Sequence, residues 1–434
     1  MVKRADKYAW HLGSPPPKID PHSLVKHQLV SDYLARYIQV LMSNYLIDKL
    51  TLSIVDGFAG GGEYLAEDGS QFHDGSPLIA LKTVQEAEVA LNVGRDKPRK
   101  VDAKFYFVEK LASNFGYLDA LLGTRLAPGR VGKDVVLLKQ AFQDAIGPVM
   151  ADIASRAGGE RAIFLLDQYA YDQVPGPLLR TIFSQVKGAE VILTFNVDSL
   201  IAFLSDKDQC RAKLQQIGLD RYIDWRTLES LKNSGPAAWR SAIQRNLARG
   251  LVEESGARHH TIFYITPAGS TSWTYWLVHL SNSFKARDVM MELHWQQANH
   301  FSHYLEPDIF TLGYRTKDDE EATRQNGLDL GHAFQFDAIA LNRCKSGLSE
   351  KLVPLIFDSS QPLPFSQLLD NLGSSTPATA DMIRSALDPA IRSGDLSARS
   401  RDGKTRTKGS SLHSGDVLAA SAQRPFFFVP RADA

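Results

Sequence analysis

Residues 53–64, Ser-Ile-Val-Asp-Gly-Phe-Ala-Gly-Gly-Gly-Glu-Tyr, join an apolar run ending in Asp56 to a turn carrying four glycines. Open α/β sheets bind ligands at the carboxyl edge of buried parallel strands, where glycines let the backbone come close and take positive φ. The dinucleotide spacing G-x-G-x-x-G is interrupted by Phe58 and Ala59, and the phosphate-cradling G-x-x-x-x-G-K-[ST] is absent. The turn therefore suits a nucleoside ligand without a pyrophosphate, which is what S-adenosylmethionine is. Asp56, Gly57, Phe58, Ala59, Gly60 and Gly62 would hold it. A tight βα turn with no ligand is the alternative.

Three further acids end or follow apolar runs. Glu109 closes Phe-Tyr-Phe-Val-Glu, where its carboxylate can accept hydrogen bonds from both hydroxyls of a ribose. Asp144, in Gln-Ala-Phe-Gln-Asp, could accept from an adenine amine. Asp167, in Leu-Leu-Asp-Gln-Tyr-Ala, closes another such run, with Tyr169 two residues on. Acids in these positions also cap helices, and that reading stays open for each. Glu292, His294, His300 and His303 have the chemistry of zinc ligands but not the H-E-x-x-H spacing, so no metal site is expected. Arg399, Arg401, Lys404, Arg406 and Lys408 form a basic run opposed by Asp402, suited to phosphate contacts or to a solvated hairpin tip.

These residues need elements to position them. Leu24, Val30, Leu34, Tyr37, Ile38, Leu41 and Tyr45 recur at helical spacing over residues 23–48, with Asp20-Pro21 as N-cap and first turn. Apolar runs at 51–55, 104–108, 134–138, 161–166 and 190–195 lack clean alternation, as strands covered on both faces do. Helical patterns lie between them at 77–90, 112–122 and 177–186. Strand alternating with helix predicts a doubly wound, mostly parallel Rossmann-like sheet. Residues 198–258 read as a helical insertion, a candidate for target recognition or a structural segment. Residues 259–266 and 272–280 read as an antiparallel hairpin, followed by a helix over 284–297. From residue 347, helices at 348–357, 365–372 and 379–391, a basic turn at 397–408 and a strand at 425–429 have the layout of a winged helix-turn-helix.

The chain of 434 residues is 44% hydrophobic and 23% charged, which excludes wholesale disorder. At about 150 residues per domain, two or three domains are expected. Lys+Arg 49 balances Asp+Glu 49, so affinity for nucleic acid must come from local patches. Cys210 and Cys344 cannot form a disulfide framework. A charged, then Pro-rich start and the lack of a bilayer-length apolar run lead to the expectation of a soluble cytoplasmic protein with no membrane partner.

Three blocks carry a family resemblance: residues 55–64, Val-Asp-Gly-Phe-Ala-Gly-Gly-Gly-Glu-Tyr; residues 74–81, Asp-Gly-Ser-Pro-Leu-Ile-Ala-Leu; and residues 164–167, Phe-Leu-Leu-Asp. Lys26-His27 and residues 275–295 add to it. The chain resembles the three-Cys-motif partner proteins, whose members are similar to class I S-adenosylmethionine-dependent methyltransferases. The resemblance implies a helical extension (1–50), a methyltransferase-like domain (51–345) and a winged-helix domain (346–434). It also implies a nucleic-acid or nucleotide-like acceptor held by Asp167 and Tyr169, and a separate partner carrying a three-cysteine motif. The family's usual Asp-Pro-aromatic-Gly is here Asp167-Gln168-Tyr169-Ala170. That departure keeps a second expectation alive, a degenerate fold serving as a binding adaptor. A nicotinamide-dependent oxidoreductase is disfavoured by the missing glycine spacing.

Overall fold

The structure is a computed structural model that describes residues 8–233, 236–265, 275–297, 303–304, 333–334, 336–359 and 361–421. The chain divides into two compact units, Met1–His303 and Tyr304–Ala434.

The first unit is a mixed α/β fold. Its sheet contains β1 (Lys49–Asp56), β4 (Lys100–Val108), β5 (Val135–Leu138), β6 (Arg161–Leu166), β7 (Gly188–Phe195), β8 (His259–Ile265) and β9 (Tyr275–Ser281), in the order β5-β4-β1-β6-β7-β9-β8. The first five pair in parallel, and β9 runs antiparallel to both β7 and β8. β1 is buried from Leu50 to Asp56, which is why its sequence shows no alternation. The chain moves outward from β1 to β4 and β5, then crosses back to β6. The direction of winding therefore reverses between β1 and β6, where open sheets leave a crevice. Residues 267–271, the expected hairpin connection, lie outside the described residues.

Several local expectations are corrected. The first helix, α1 (Pro21–Leu41), ends seven residues before Asp48. Its Pro21 sits at the first helical turn, but Asp20 makes no side-chain cap and instead accepts the Tyr8 hydroxyl. The loop after α1 is fastened by the buried Arg99 guanidinium, which donates to the carbonyls of Met42, Asn44 and Ile47 at 2.7, 2.9 and 2.8 Å. A short hairpin, β2 (Glu63–Leu65) with β3 (Phe72–Asp74), follows the glycine turn and leads into α2 (Ser76–Asn92). Three-residue strands are too short to show a period. Helix α3 (Ala112–Arg125) follows β4. Helix α4 (Phe142–Ser155) stands where the sequence reading named no element, because Gly147 and Pro148 break up its pattern.

Helix α5 (Gly176–Gln185) separates β6 from β7. Between β7 and β8 lie α6 (Val197–Phe203), α7 (Asp208–Gln216), α8 (Leu228–Asn233) and α9 (Pro236–Ser255). α9 packs against α5 so closely that a methyl on Gly176 would stand 2.5 Å from the Glu254 Cβ. Helix α10 (Phe284–Gln296) packs against α1, β8 and β9.

The second unit holds α11 (Ala338–Phe357), β10 (Leu363–Pro364), α12 (Phe365–Leu372), α13 (Ala380–Ser393), β11 (Leu396–Arg399) and β12 (Val417–Ala420). Its strands form an antiparallel sheet in the order β10-β12-β11 over a core that includes Leu348, Phe365, Ile383, Leu387 and Leu418. Helix α11 begins at Ala338, with the Asp337 carboxylate capping the Ala340 N–H at 2.8 Å, and it runs through Pro354. Residues 425–429 lie outside the described residues. Among the described residues no helix is long and apolar enough to cross a membrane.

Candidate functional site

β1, β4 and β6 are adjacent and parallel, so Asp56, Glu109 and Asp167 come to the same carboxyl edge of the sheet. Asp56 is 1% exposed. Its Oδ1 accepts the Phe58 N–H at 3.1 Å, while Oδ2 has no hydrogen-bond partner among the described residues. Burial pushes the Asp56 carboxyl up to about 7, against the opposing pull of the Ser76 hydroxyl and the Phe58 N–H. Nearby Asp167 and Glu109 add to the rise. A buried carboxylate oxygen without a donor is what a cationic or N–H-bearing ligand group would complete.

Glu109 links the glycine turn to β4. Its Oε2 accepts the Gly60 N–H at 3.1 Å and its Oε1 the Leu111 N–H at 2.7 Å. The capping and ligand readings are thus compatible, since each carboxylate oxygen keeps a second lone pair. The glycine positions of the turn are crowded. A methyl on Gly57 would meet Leu166 Cδ2 at 2.7 Å and Phe142 Cδ2 at 2.8 Å. Gly60 and Gly62 have φ of 59° and 88°, in the left-handed region. Asp144, in the first turn of α4, is exposed, whereas Phe142 beside it is buried and its ring centre lies 6.0 Å from that of Phe58.

The sequence reading missed Trp10. This indole is 3% exposed and lies across Gly60 and Gly61, in contact too close for any side chain at Gly61. Its Nε1 donates to the Glu63 carbonyl at 2.7 Å, and its backbone N–H to Asn114 Oδ1 at 3.1 Å. Tyr64 meets it edge-on at 5.2 Å. Residues 17–19 then run beside Leu65, with Leu65 N donating to Pro17 O and Ile19 N to Leu65 O, both at 2.9 Å. Residues 8–20 therefore form a strap over the glycine turn. No period or spacing in a Pro-rich segment announces this.

Asp167 has a partner that the sequence reading noted without a role. Lys26 Nζ donates to both Asp167 oxygens, at 2.8 and 2.7 Å, and stands 5.8 Å from the Tyr275 ring centre. Desolvation pushes the Asp167 carboxyl up, but the Lys26 ammonium, helped by Thr194 and His27, holds it below the ordinary carboxylate range. Its side chain is still 49% exposed, so its outer lone pairs face an open space. Burial, with Lys26 and His73 nearby, lowers His27 to about 4, which keeps that imidazole neutral near pH 7.

Gln168 turns inward at 3% exposure. Its Oε1 accepts the N–H groups of Gln173 and Val174 at 3.2 and 2.9 Å, and Gln173 Oε1 accepts those of Tyr169 and Ala170 at 2.9 and 3.1 Å. Two interlocked glutamines thus stiffen this turn. Tyr169 projects outward at 53% exposure.

The other candidates disperse. Glu292 is tied to Arg36 and Lys285, each at 3.4 Å, while His294 is buried and stacked on Phe263. His300 lies outside the described residues. Among the described residues no three His, Cys, Asp or Glu side chains are grouped to hold a metal. Cys210 and Cys344 belong to different units. In the second unit Arg399, Arg401, Lys404 and Lys408 are exposed, whereas Arg406 pairs with the buried Asp416 at 2.8 Å.

No family model and no curated protein matches the chain. Among solved structures it is similar to the Legionella pneumophila protein LPL1258, at 11% identity over 65% of this chain and 93% of that one, with a TM-score of 0.37. It is similar to the bifunctional kinase-methyltransferase WbdD at 12% identity over 64% of this chain, with a TM-score of 0.30, and covers 44% of that protein's length. TYW2 of M. jannaschii, solved in complex with AdoMet, shares 11% identity over 60% of this chain and 76% of its own, with a TM-score of 0.26.

Proposed function

We propose that the first unit binds S-adenosylmethionine and transfers its methyl group to a nucleic-acid or nucleotide-like acceptor. The observation that carries this reading is the convergence of Asp56, Glu109 and Asp167 around a crowded glycine turn, at the point where the sheet reverses its winding. The strand order, with an antiparallel strand inserted next to β7, supports it as the arrangement of class I methyltransferases.

The residues present fit such a donor. Among the described residues Asp56 Oδ2 lacks a partner, which the donor's ammonium group would supply, and Glu109 keeps lone pairs for ribose hydroxyls. Phe58 and Phe142 offer apolar surface for an adenine. When bound, the donor supplies an electrophilic methyl group. The chain's own work is then to orient and to exclude water, since effective concentration alone can lower the barrier by several kcal/mol, on the order of 7–11. Trp10 and the strap cover the turn. Asp167, clamped by Lys26, presents a fixed carboxylate to an acceptor hydrogen, and Tyr169 offers a face for stacking. A partner with a three-cysteine motif remains an expectation from the family resemblance.

A second reading, a binding adaptor without turnover, draws on the same Lys26–Asp167 pair, because an ammonium already occupies both oxygens. Calorimetric titration with S-adenosylmethionine, S-adenosylhomocysteine and NAD tests the donor site: the first two should bind and NAD should not. Labelled methyl transfer to mixed DNA and RNA then separates enzyme from adaptor. Donor binding without incorporation into either would favour the adaptor.

A further inference from the structure

Residues 396–421 of the second unit carry five cations against Asp402 and Asp416. Arg406 and Asp416 cancel one another at the base, where the Arg406 Nε and Nη2 donate to the two Asp416 oxygens at 2.8 and 3.1 Å. The remaining Arg399, Arg401, Lys404 and Lys408 are exposed, and none is ion-paired among the described residues. The backbone that carries them is fixed. Ser400 N donates to Lys404 O at 2.8 Å, Gly403 N to Ser400 O at 2.9 Å, and Arg406 N to Ala398 O at 2.8 Å. Gly403, at φ 78°, closes the tip. Along β11, Leu396 and Ala398 point into the core while Arg399 points out, and Arg401 continues the outward register.

The third helix of this unit has no such charge. Its exposed positions are Asp381, Ser385, Pro389, Arg392 and Ser393. Arg384 is spent on Asp381 and the Leu412 carbonyl, at 2.6 and 3.1 Å, and Arg392 on Asp388. Asp388 in turn accepts the Gly409 N–H at 2.7 Å, which locks the hairpin to α13. A helix docked in a groove brings its outer face against phosphates, and an exposed Asp381 at its first turn opposes that approach.

We propose that the second unit contacts nucleic acid through this hairpin, along the phosphate backbone, and not through α13. The proposal is independent of the methyl-transfer reading. Its occupant follows from the surface itself. Four unpaired cations flanked by the exposed hydroxyls of Thr405, Thr407 and Ser410 match phosphate oxygens. Leu396, Ala398, Leu412 and Leu418 are all turned inward, so the hairpin offers no apolar anchor to a membrane or to the core of a protein interface. Contacts of this kind carry no base information, so the expected binding is sequence-independent.

The test is fluorescence anisotropy of the full chain with a labelled 30-base-pair DNA duplex and a 30-nucleotide RNA, lengths chosen as roughly three helical turns. Four phosphate contacts predict an affinity loss of about 100-fold between 50 and 200 mM salt. The variant Arg399→Glu/Arg401→Glu/Lys404→Glu should lose binding to both probes, while Asp381→Asn/Arg392→Gln on α13 should change it by less than about twofold. If the charge-reversed chain fails to fold by circular dichroism, the Gln versions of the three hairpin substitutions replace it, with a loss of about tenfold or more expected. Absence of wild-type binding at 50 mM salt would overturn the proposal. So would a larger loss from the α13 variant than from the hairpin variant, an unchanged affinity in the hairpin variant, or equal competition by polyglutamate.

Discussion

The Lys26 ammonium bridges both oxygens of Asp167, tying the first helix to the carboxyl end of β6. Since Lys26 is 8% exposed and Asp167 is largely open on its outer side, the pair behaves as a clamp that fixes the carboxylate plane. Asp167→Asn should lower methyl transfer by about 10²–10⁴-fold with donor affinity unchanged. Lys26→Met removes the main opposition to desolvation, so the Asp167 pKa rises and the acidic limb of the activity profile moves to higher pH. Lys26→Arg should restore it. The depressed carboxyl contributes stability above its unfolded pKa that is lost as pH falls through its folded pKa. The melting gap between wild type and Lys26→Met should therefore close on acidification.

Asp56 gives donor binding its own pH dependence. Its pKa is about 7, raised chiefly by burial, and a cationic ligand group needs the ionised form. Affinity for S-adenosylmethionine should fall about tenfold from pH 8 to pH 6, measured by calorimetry, and the fall should disappear in Asp56→Asn. In the ligand-free protein the sign reverses. The stability contributed by the raised pKa is fully present at low pH and is lost as pH rises through about 7.

Glu109→Ala should reduce both donor affinity and melting temperature, because the side chain also holds the Gly60 and Leu111 N–H groups. Binding and folding free energy should each lose about 1–3 kcal/mol. Equal affinity in the variant would remove Glu109 from the ligand site and leave it as a turn clip.

Trp10→Ala should cost about 3–5 kcal/mol of stability, as large aromatic truncations in packed sites do. Donor affinity should drop with it, while Trp10→Phe should recover much of the packing without the bond to the Glu63 carbonyl. Thermal melts with and without S-adenosylmethionine separate the two effects.

Gln168→Pro, which would introduce the proline of the family that the sequence resembles, should destabilise the chain. It strips the acceptor from the N–H groups of Gln173 and the buried Val174, about 1–3 kcal/mol where the orphaned group is buried. Activity raised by this substitution would show that the glutamine pair is a poor substitute for the ring.

The strands and the edge they share were legible because a buried parallel strand is a short apolar run whatever else surrounds it, and Asp56, Glu109 and Asp167 each close such a run. The partners of those acids were not. Lys26 comes from a helix 141 positions away from Asp167, and Trp10 reaches Asn114 across 104 positions. Such contacts are set by how α1 and the strap lie on the sheet, which no local pattern encodes. Gln168 was visible as a departure, but its inward turn depends on Gln173, a polar residue in a loop with nothing to mark it. Arg406 shows the same limit in the second unit: it reads as one more surface cation until Asp416 is found beneath it.

The strap also dictates a sequence of events during synthesis. Trp10 leaves the ribosome long before the glycine turn it covers, and before Asn114, which accepts its N–H. Its apolar indole must wait, exposed, until about a hundred further residues have emerged, a delay that favours capture by chaperones. The lid over the turn is thus made first and seated last. A bulky tag fused close to Tyr8 would interfere at that final seating, leaving a folded sheet with an uncovered glycine turn.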